Sequence, residues 1–257
     1  MLSSLKFFDA YTIRARIFPA LIAGLPTLVL PFILVPWDRL GASAAIATVM
    51  SLVLLYAFSD VARRCGLRVE RKLGTRSTPE LWFRANPAIP ELTKDRFRAF
   101  VATMLGNPAP SEQDEMNQPE RAKDFYLAAG DWLRDKTRDR KRFPILFDEL
   151  MTYGFRRNLL GLKYVSLVMN ACVAGFCGAT LALSLPYVST ISHLEEKAVA
   201  VLVVVVLHSL YMAAAVGKAA VQDASITYGK QQILSCEVLM ASAKPTAAKP
   251  RARAPKP

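Results

Sequence analysis

The 257-residue chain is 53% hydrophobic, yet it carries 33 Lys+Arg against 21 Asp+Glu and a formal net charge of +12. One soluble domain would hold that much apolar side chain and unbalanced charge together only with difficulty, so the two are expected to be segregated along the chain. Four cysteines without a Cys-x-x-Cys pair argue against a disulfide scaffold or a zinc module, and Cys65, Cys172, Cys177 and Cys236 are read as packing residues.

In chain order, residues 1–16 form an amphipathic arm with Lys6, Arg14 and Arg16. Four apolar runs follow: Ile17 to Trp37, Ala42 to Ala62 with only Asp60 near its end, Tyr164 to Tyr187, and Ala198 to Val216. Each holds about 20 residues, enough to cross a hydrocarbon layer of roughly 30 Å, and four membrane helices are predicted over 17–62 and 159–218. Ala42-Ser43-Ala44 would suit a signal-peptide cleavage site, but the run before it is longer than the roughly 7–15 residues of a signal core and begins well into the chain. Pro19, Pro26, Pro31 and Pro36 are expected to bend the first helix, or to give it a hinge.

Between the second and third spans lies a basic insert, 63–158, expected to be mainly helical. "ELTKDRFRAFVATML" spaces Leu92, Phe97, Phe100, Val101 and Met104 on one face, and "PERAKDFYLAAGDWLRDKTRDR" opens on Pro119 and offers Phe125, Leu127, Trp132 and Leu133 for partial burial. "GNPAPSEQDEMNQPE" reads as an acidic loop, and "LGTRSTPELWFRANPAIP" as an ordered loop. After Pro144 the helical spacing runs into the third span without a clear break, since Gly154 and Gly161 each cost a helix only about 1 kcal/mol. A helix over 219–241 and a disordered basic tail over 242–257 complete an all-α membrane protein. Lys and Arg concentrate in the arm, the insert and the tail, whereas the turns at 38–41 and 188–197 are short and nearly balanced. The positive-inside rule therefore places both termini and the insert in the cytoplasm.

No nucleophile–base pair, phosphate loop or metal-ligand spacing is evident, so neither an enzyme nor a cofactor or metal is expected. Within the spans Ser51, Ser166, Asn170, Thr180, Ser184, His208 and Ser209 are polar. Asn170, His208 and Ser209 are candidates for pore lining in an oligomer, the alternative being hydrogen bonds between helices.

Arg134, Lys136, Arg138, Arg140, Lys141 and Arg142, followed by Arg156, Arg157 and Lys163, form a basic cluster beside the third span. Anionic lipid, salt bridges to Asp131, Asp135 and Asp139, or topology alone would account for it. The functional reading is nucleic-acid phosphate at Arg138, Arg140, Lys141, Arg142, Arg156 and Arg157, with Trp82, Tyr153 and Phe155 as stacking faces, the combination that binds single strands.

"TRDRKRFPILFDELMTYGFRRNLLGLK", with the upstream "LGTRSTPELWF", resembles bacterial anti-phage four-helix membrane effectors, such as the channel effectors of Hailong-type systems. The resemblance implies an oligomeric ion channel with a cytoplasmic crown holding a single-stranded DNA oligomer made by a partner nucleotidyltransferase, and a homo-tetramer is the expected assembly. Loss of the strand would open the channel and arrest growth. A channel gated by a cyclic nucleotide, or a membrane scaffold without ligand, remains the alternative.

Overall fold

The computed structural model describes residues 9–34, 43–75, 79–183 and 193–243. Lys6, Pro36, Ser184, the 38–41 turn, residues 188–192 of the 188–197 turn and the 244–257 tail lie outside them. The regular structure described is helical throughout: α1 (Ala10–Thr12), a π-helical turn (Ile13–Ile17), α2 (Phe18–Leu34), α3 (Ser43–Leu73), α4 (Glu91–Leu105), α5 (Glu112–Asn117), α6 (Pro119–Lys136), α7 (Pro144–Leu183), α8 (Leu194–Ala214), α9 (Lys218–Leu234) and α10 (Cys236–Ala243). Two compact units share them. The first comprises Met1–Ser77 with Phe147–Tyr228, the second Thr78–Leu146 with Gly229–Pro257.

The first unit packs helices through small residues. Ala20 and Ala23 of α2, Ala62 of α3, Leu159 and Leu162 of α7, and Met212 of α8 make one core; Val173 and Cys177 of α7 with Ala198, Val201 and Val205 of α8 make another. Many larger apolar side chains point outward instead: Leu52 and Leu54 of α3, Val168 of α7, and Leu207 and Leu210 of α8 are each at least 60% exposed. A water-soluble bundle would bury these residues first, so the outer surface is built for hydrocarbon. Ala10–Leu30, Pro144–Leu183 and Leu194–Ala214 are long and apolar enough to cross a membrane. The expected second span occupies the N-terminal part of α3.

α3 outlasts its apolar run because nothing stops it before Gly74, whose φ of +65° ends it. It crosses α7 where two glycines meet: a Cβ on Gly161 would lie 2.6 Å from both Cys65 C and Gly66 N. Gly66 in turn faces the Asn158 side chain. Residues 63–73 thus extend α3 and 147–158 belong to α7, so the second unit is shorter in this region than the expected 63–158 insert.

That second unit has its own core, in which Leu81, Trp82 and Ile89 meet Phe97 and Val101 of α4, Ala122, Tyr126, Ala129 and Leu133 of α6, and Ile233 and Cys236. Trp82 stacks on Tyr126 with ring centroids 6.0 Å apart, and Phe83 meets Tyr126 edge-on at 5.1 Å. α4 corrects the expected apolar face, because Leu92 is 85% exposed and the buried stripe is Lys94, Phe97, Arg98 and Val101. The spacing is helical but half the stripe is cationic. The Lys94 ammonium donates to the carbonyls of Phe83 (2.6 Å), Arg84 (3.2 Å) and Asn86 (2.8 Å), and Arg98 donates to Trp82 O at 2.6 Å and to Glu91 and Asp95. Two long aliphatic stems fill the core while their charged ends hold the preceding loop in place. The acidic loop contains α5, whose Ser111 and Asp114 form a capping box.

Candidate functional site

Proline organises the polar groups of the first unit. A proline removes the N–H that would bond the carbonyl four residues earlier, and in hydrocarbon that carbonyl needs another donor. Pro19 deprives Ala15 O, which accepts from Asn158 Nδ2 at 2.5 Å; Pro26 deprives Ile22 O, which accepts from His208 Nε2 at 2.7 Å. Ser166 Oγ donates to the adjacent Ala23 O at 2.8 Å. The π-helical turn ends at Phe18, whose N–H reaches Ile13 O, and so delivers the chain into Pro19.

With Nε2–H committed to Ile22, His208 Nδ1 accepts from Asn170 Nδ2 at 3.0 Å, and Asn170 also donates to Ser209 Oγ at 2.7 Å. The three pore candidates are therefore brought together, but Asn170 and His208 are buried within one chain. Their polar atoms serve one another and a proline-exposed carbonyl, which is the interhelical role weighed as their alternative.

The basic residues of α7 are likewise drawn into the fold. Arg157 is buried and pairs with Glu70 of α3, which also accepts from Tyr153 Oη at 3.1 Å; Tyr153 meets Thr75 Oγ1 at 2.9 Å. Ser225 of α9 donates to Thr75 O at 2.9 Å. Both the phosphate role expected of Arg157 and the stacking role of Tyr153 are corrected: the guanidinium neutralises a buried carboxylate, and the phenol ring, 4% exposed, lies against Tyr228. Lys163 donates to Ala213 O (2.9 Å) and Val216 O (2.8 Å), and Arg156 to Ala220 O (3.2 Å), across the break between α8 and α9. Phe155 is half-buried beside Leu159, against the small-residue core.

Arg138, Arg140, Lys141 and Arg142 are placed differently. They occupy the exposed turn between α6 and α7, anchored at one end by Thr137 Oγ1 donating to Leu133 O at 2.7 Å and at the other by buried Phe143. Asp139 shapes the turn by accepting from the Lys141 N–H at 2.9 Å. Arg138 pairs with Asp135 at 3.0 Å, while Arg142 reaches Val238 O at 3.3 Å and the Ser242 hydroxyl. Trp82 is not a stacking face, since it is 3% exposed beneath Tyr126. Among the expected ligand residues the turn belongs to the second unit, and Arg156, Arg157, Tyr153 and Phe155 belong to the first.

Sequence reading missed Glu70, Asn158, Lys94 and Arg98. The signal for Asn158 was present: a buried-face amide opposite a helix whose prolines leave carbonyls without a donor. Among the described residues no cluster of metal-ligating side chains occurs. Compared with family models, curated proteins and solved structures, the chain matches none.

Proposed function

We propose that this is a four-span protein of the bacterial cytoplasmic membrane, with both termini and the Thr78–Leu146 unit on the cytoplasmic side. In this reading copies of the chain, four of them, assemble into a channel gated by a single-stranded nucleic acid. The N-terminal part of α3 is the fourth membrane-crossing helix, in keeping with its outward Val49, Leu52, Val53 and Leu54. The observation that carries the ligand half is the partition of the basic residues. Arg157 and Lys163 are bound into the first unit and Arg156 holds one carbonyl there, whereas Arg138, Arg140, Lys141 and Arg142 crowd one exposed turn of the second, where Arg138 also meets Asp135 and Arg142 meets Val238 O. Asp139 and Asp135 offset only part of the charge of these four cations, and a polyphosphate strand would neutralise the remainder while releasing its counterions.

With Asn170, His208 and Ser209 occupied inside one chain, the conducting path in this reading runs between copies. The resemblance to anti-phage effectors supplies the setting: a nucleotidyltransferase partner makes the strand, a phage nuclease removes it, and the opened channel arrests growth.

The test is to purify the full chain in mild detergent, denature it, and analyse the released material by absorbance and mass spectrometry. A discrete oligodeoxynucleotide is expected. Joint replacement of Arg138, Arg140, Lys141 and Arg142 by Ala should lower the slope of log affinity against log salt by about 3. Absence of nucleic acid from a well-folded oligomer, together with failure to bind an added strand, would overturn the reading.

A further inference from the structure

At the break between α8 and α9, within the first unit, lies a groove of about 260 Å3. Phe155 and Leu159 of α7, Tyr211 of α8 and Val216 form its apolar walls, and Arg156 stands among them. We propose that this groove binds an anionic phospholipid, taking its phosphate at Arg156 and the upper part of an acyl chain against Phe155, Leu159 and Val216. The proposal rests on the membrane reading above and adds a lipid site to it.

Three observations converge on that ligand. The first is position. α8 runs 21 residues from Leu194 to Ala214, about the span of a hydrocarbon layer, and the groove opens where it ends. The second is continuity with the lipid-facing surface. Leu207, Leu210 and Tyr211 form an exposed strip up α8, and Tyr211 belongs to both the strip and the groove wall, so a chain lying on the strip leads into the groove. A tyrosine there suits the boundary between hydrocarbon and headgroup.

The third observation is charge. Arg156 is exposed and donates to Ala220 O through one nitrogen, Nη1, at 3.2 Å. A guanidinium carries five N–H donors in a planar fork suited to phosphate, so this bond positions the group without exhausting it. Its neighbours Arg157 and Lys163 are committed to Glu70 and to the carbonyls of Ala213 and Val216. Phosphate at the mouth and hydrocarbon along the wall are found together in a phospholipid, whereas a nucleic-acid strand would match only the mouth.

Native mass spectrometry of the detergent-purified full chain tests this, with phosphatidylglycerol, phosphatidylcholine or inorganic phosphate added in turn. Phosphatidylglycerol is expected to remain bound under conditions that strip phosphatidylcholine, and inorganic phosphate should not displace it. Arg156→Ala should weaken phosphatidylglycerol binding about ten-fold, the loss for one charge-assisted hydrogen bond, with Arg156→Lys intermediate. Ala215→Leu, which narrows the groove from an exposed position, should weaken both lipids without touching the arginine. Equal retention of the two lipids, displacement by inorganic phosphate, or unchanged binding in both Arg156→Ala and Ala215→Leu would overturn the proposal. Should Arg156→Ala misfold, Ala215→Leu and the comparison of the two lipids decide it. Failure of the membrane reading would show separately, as a chain that stays in solution without detergent and leaves the membrane fraction.

Discussion

Asn158 and His208 do for proline what a helix cannot do for itself. Each gives a hydrogen bond to a carbonyl that a proline has left without its usual donor, and a carbonyl abandoned away from water costs about 1–3 kcal/mol. Asn158→Ala is therefore expected to lower stability by about that amount, read as a fall in the thermal midpoint in detergent. For His208 the cause can be isolated. Pro26→Ala restores an N–H to Ile22 O, so His208→Ala should cost less in that background than alone, with a coupling of about 0.5–2 kcal/mol. Additive losses would mean that the imidazole acts by packing and not by serving the carbonyl. Composition alone could list His208 but not choose between pore and partner, because that choice depends on which carbonyl the imidazole meets, and it did not single out Asn158. Cys236 was read as a packing residue and lies at 0% exposure in the second unit. Burial pushes its thiol up to about 12, so it should stay unmodified by a thiol reagent at pH 8 and react only after unfolding.

Among the helices, the α3–α7 crossing is the one whose geometry rests on absent side chains. A methyl group on Gly161 would press on the backbone of Cys65 and Gly66, whereas one on Gly175 of the same helix would meet nothing within 4 Å. Gly161→Ala should thus destabilise the chain by about 1–3 kcal/mol, and Gly175→Ala should leave it unchanged or slightly firmer. Equal melting of the two variants would remove the crossing as an explanation. α4 holds the second unit by charge instead. Burial works to raise the Glu91 pKa, but hydrogen bonds and attraction from Lys94 and Arg98 outweigh it and hold the carboxyl below its usual value. A carboxylate whose folded pKa lies below its unfolded one contributes stability that is present above the unfolded value, near pH 4.5, and is lost as pH falls through the folded one. The melting temperature should accordingly drop under acid, and Glu91→Gln should flatten that part of the profile. The Pro119 and Pro144 helix starts, and the unbroken run of α7 through both glycines, were readable from spacing and capping chemistry. The true face of α4 was not. Helical periodicity counts apolar residues, and nothing in it shows that Lys94 and Arg98 will find carbonyls for their charges while their stems replace leucine in the core.

In its first unit the chain mixes alanine and polar groups with leucine and valine inside and leaves many further leucines and valines on the outer surface, while the second unit buries its aromatics. Length and hydropathy were enough to separate the apolar runs from the basic insert along the chain, but not to say which side chains each unit buries. They could not foresee that Arg156, Arg157 and Lys163 would be separated in role from the Arg138–Arg142 turn, because one continuous basic stretch of sequence passes from one unit into the other. The central claim is that the chain crosses the membrane four times and leaves the basic unit on the cytoplasmic side. Without that, neither the strand nor the lipid has its place. Single cysteines at Ser111 and at His193, in a variant whose native cysteines are replaced by Ala, test it when intact cells are treated with a membrane-impermeant maleimide. The account predicts labelling at position 193 in intact cells and at position 111 only after the membrane is opened. Labelling at 111 in intact cells, or at 193 only after permeabilisation, would contradict it.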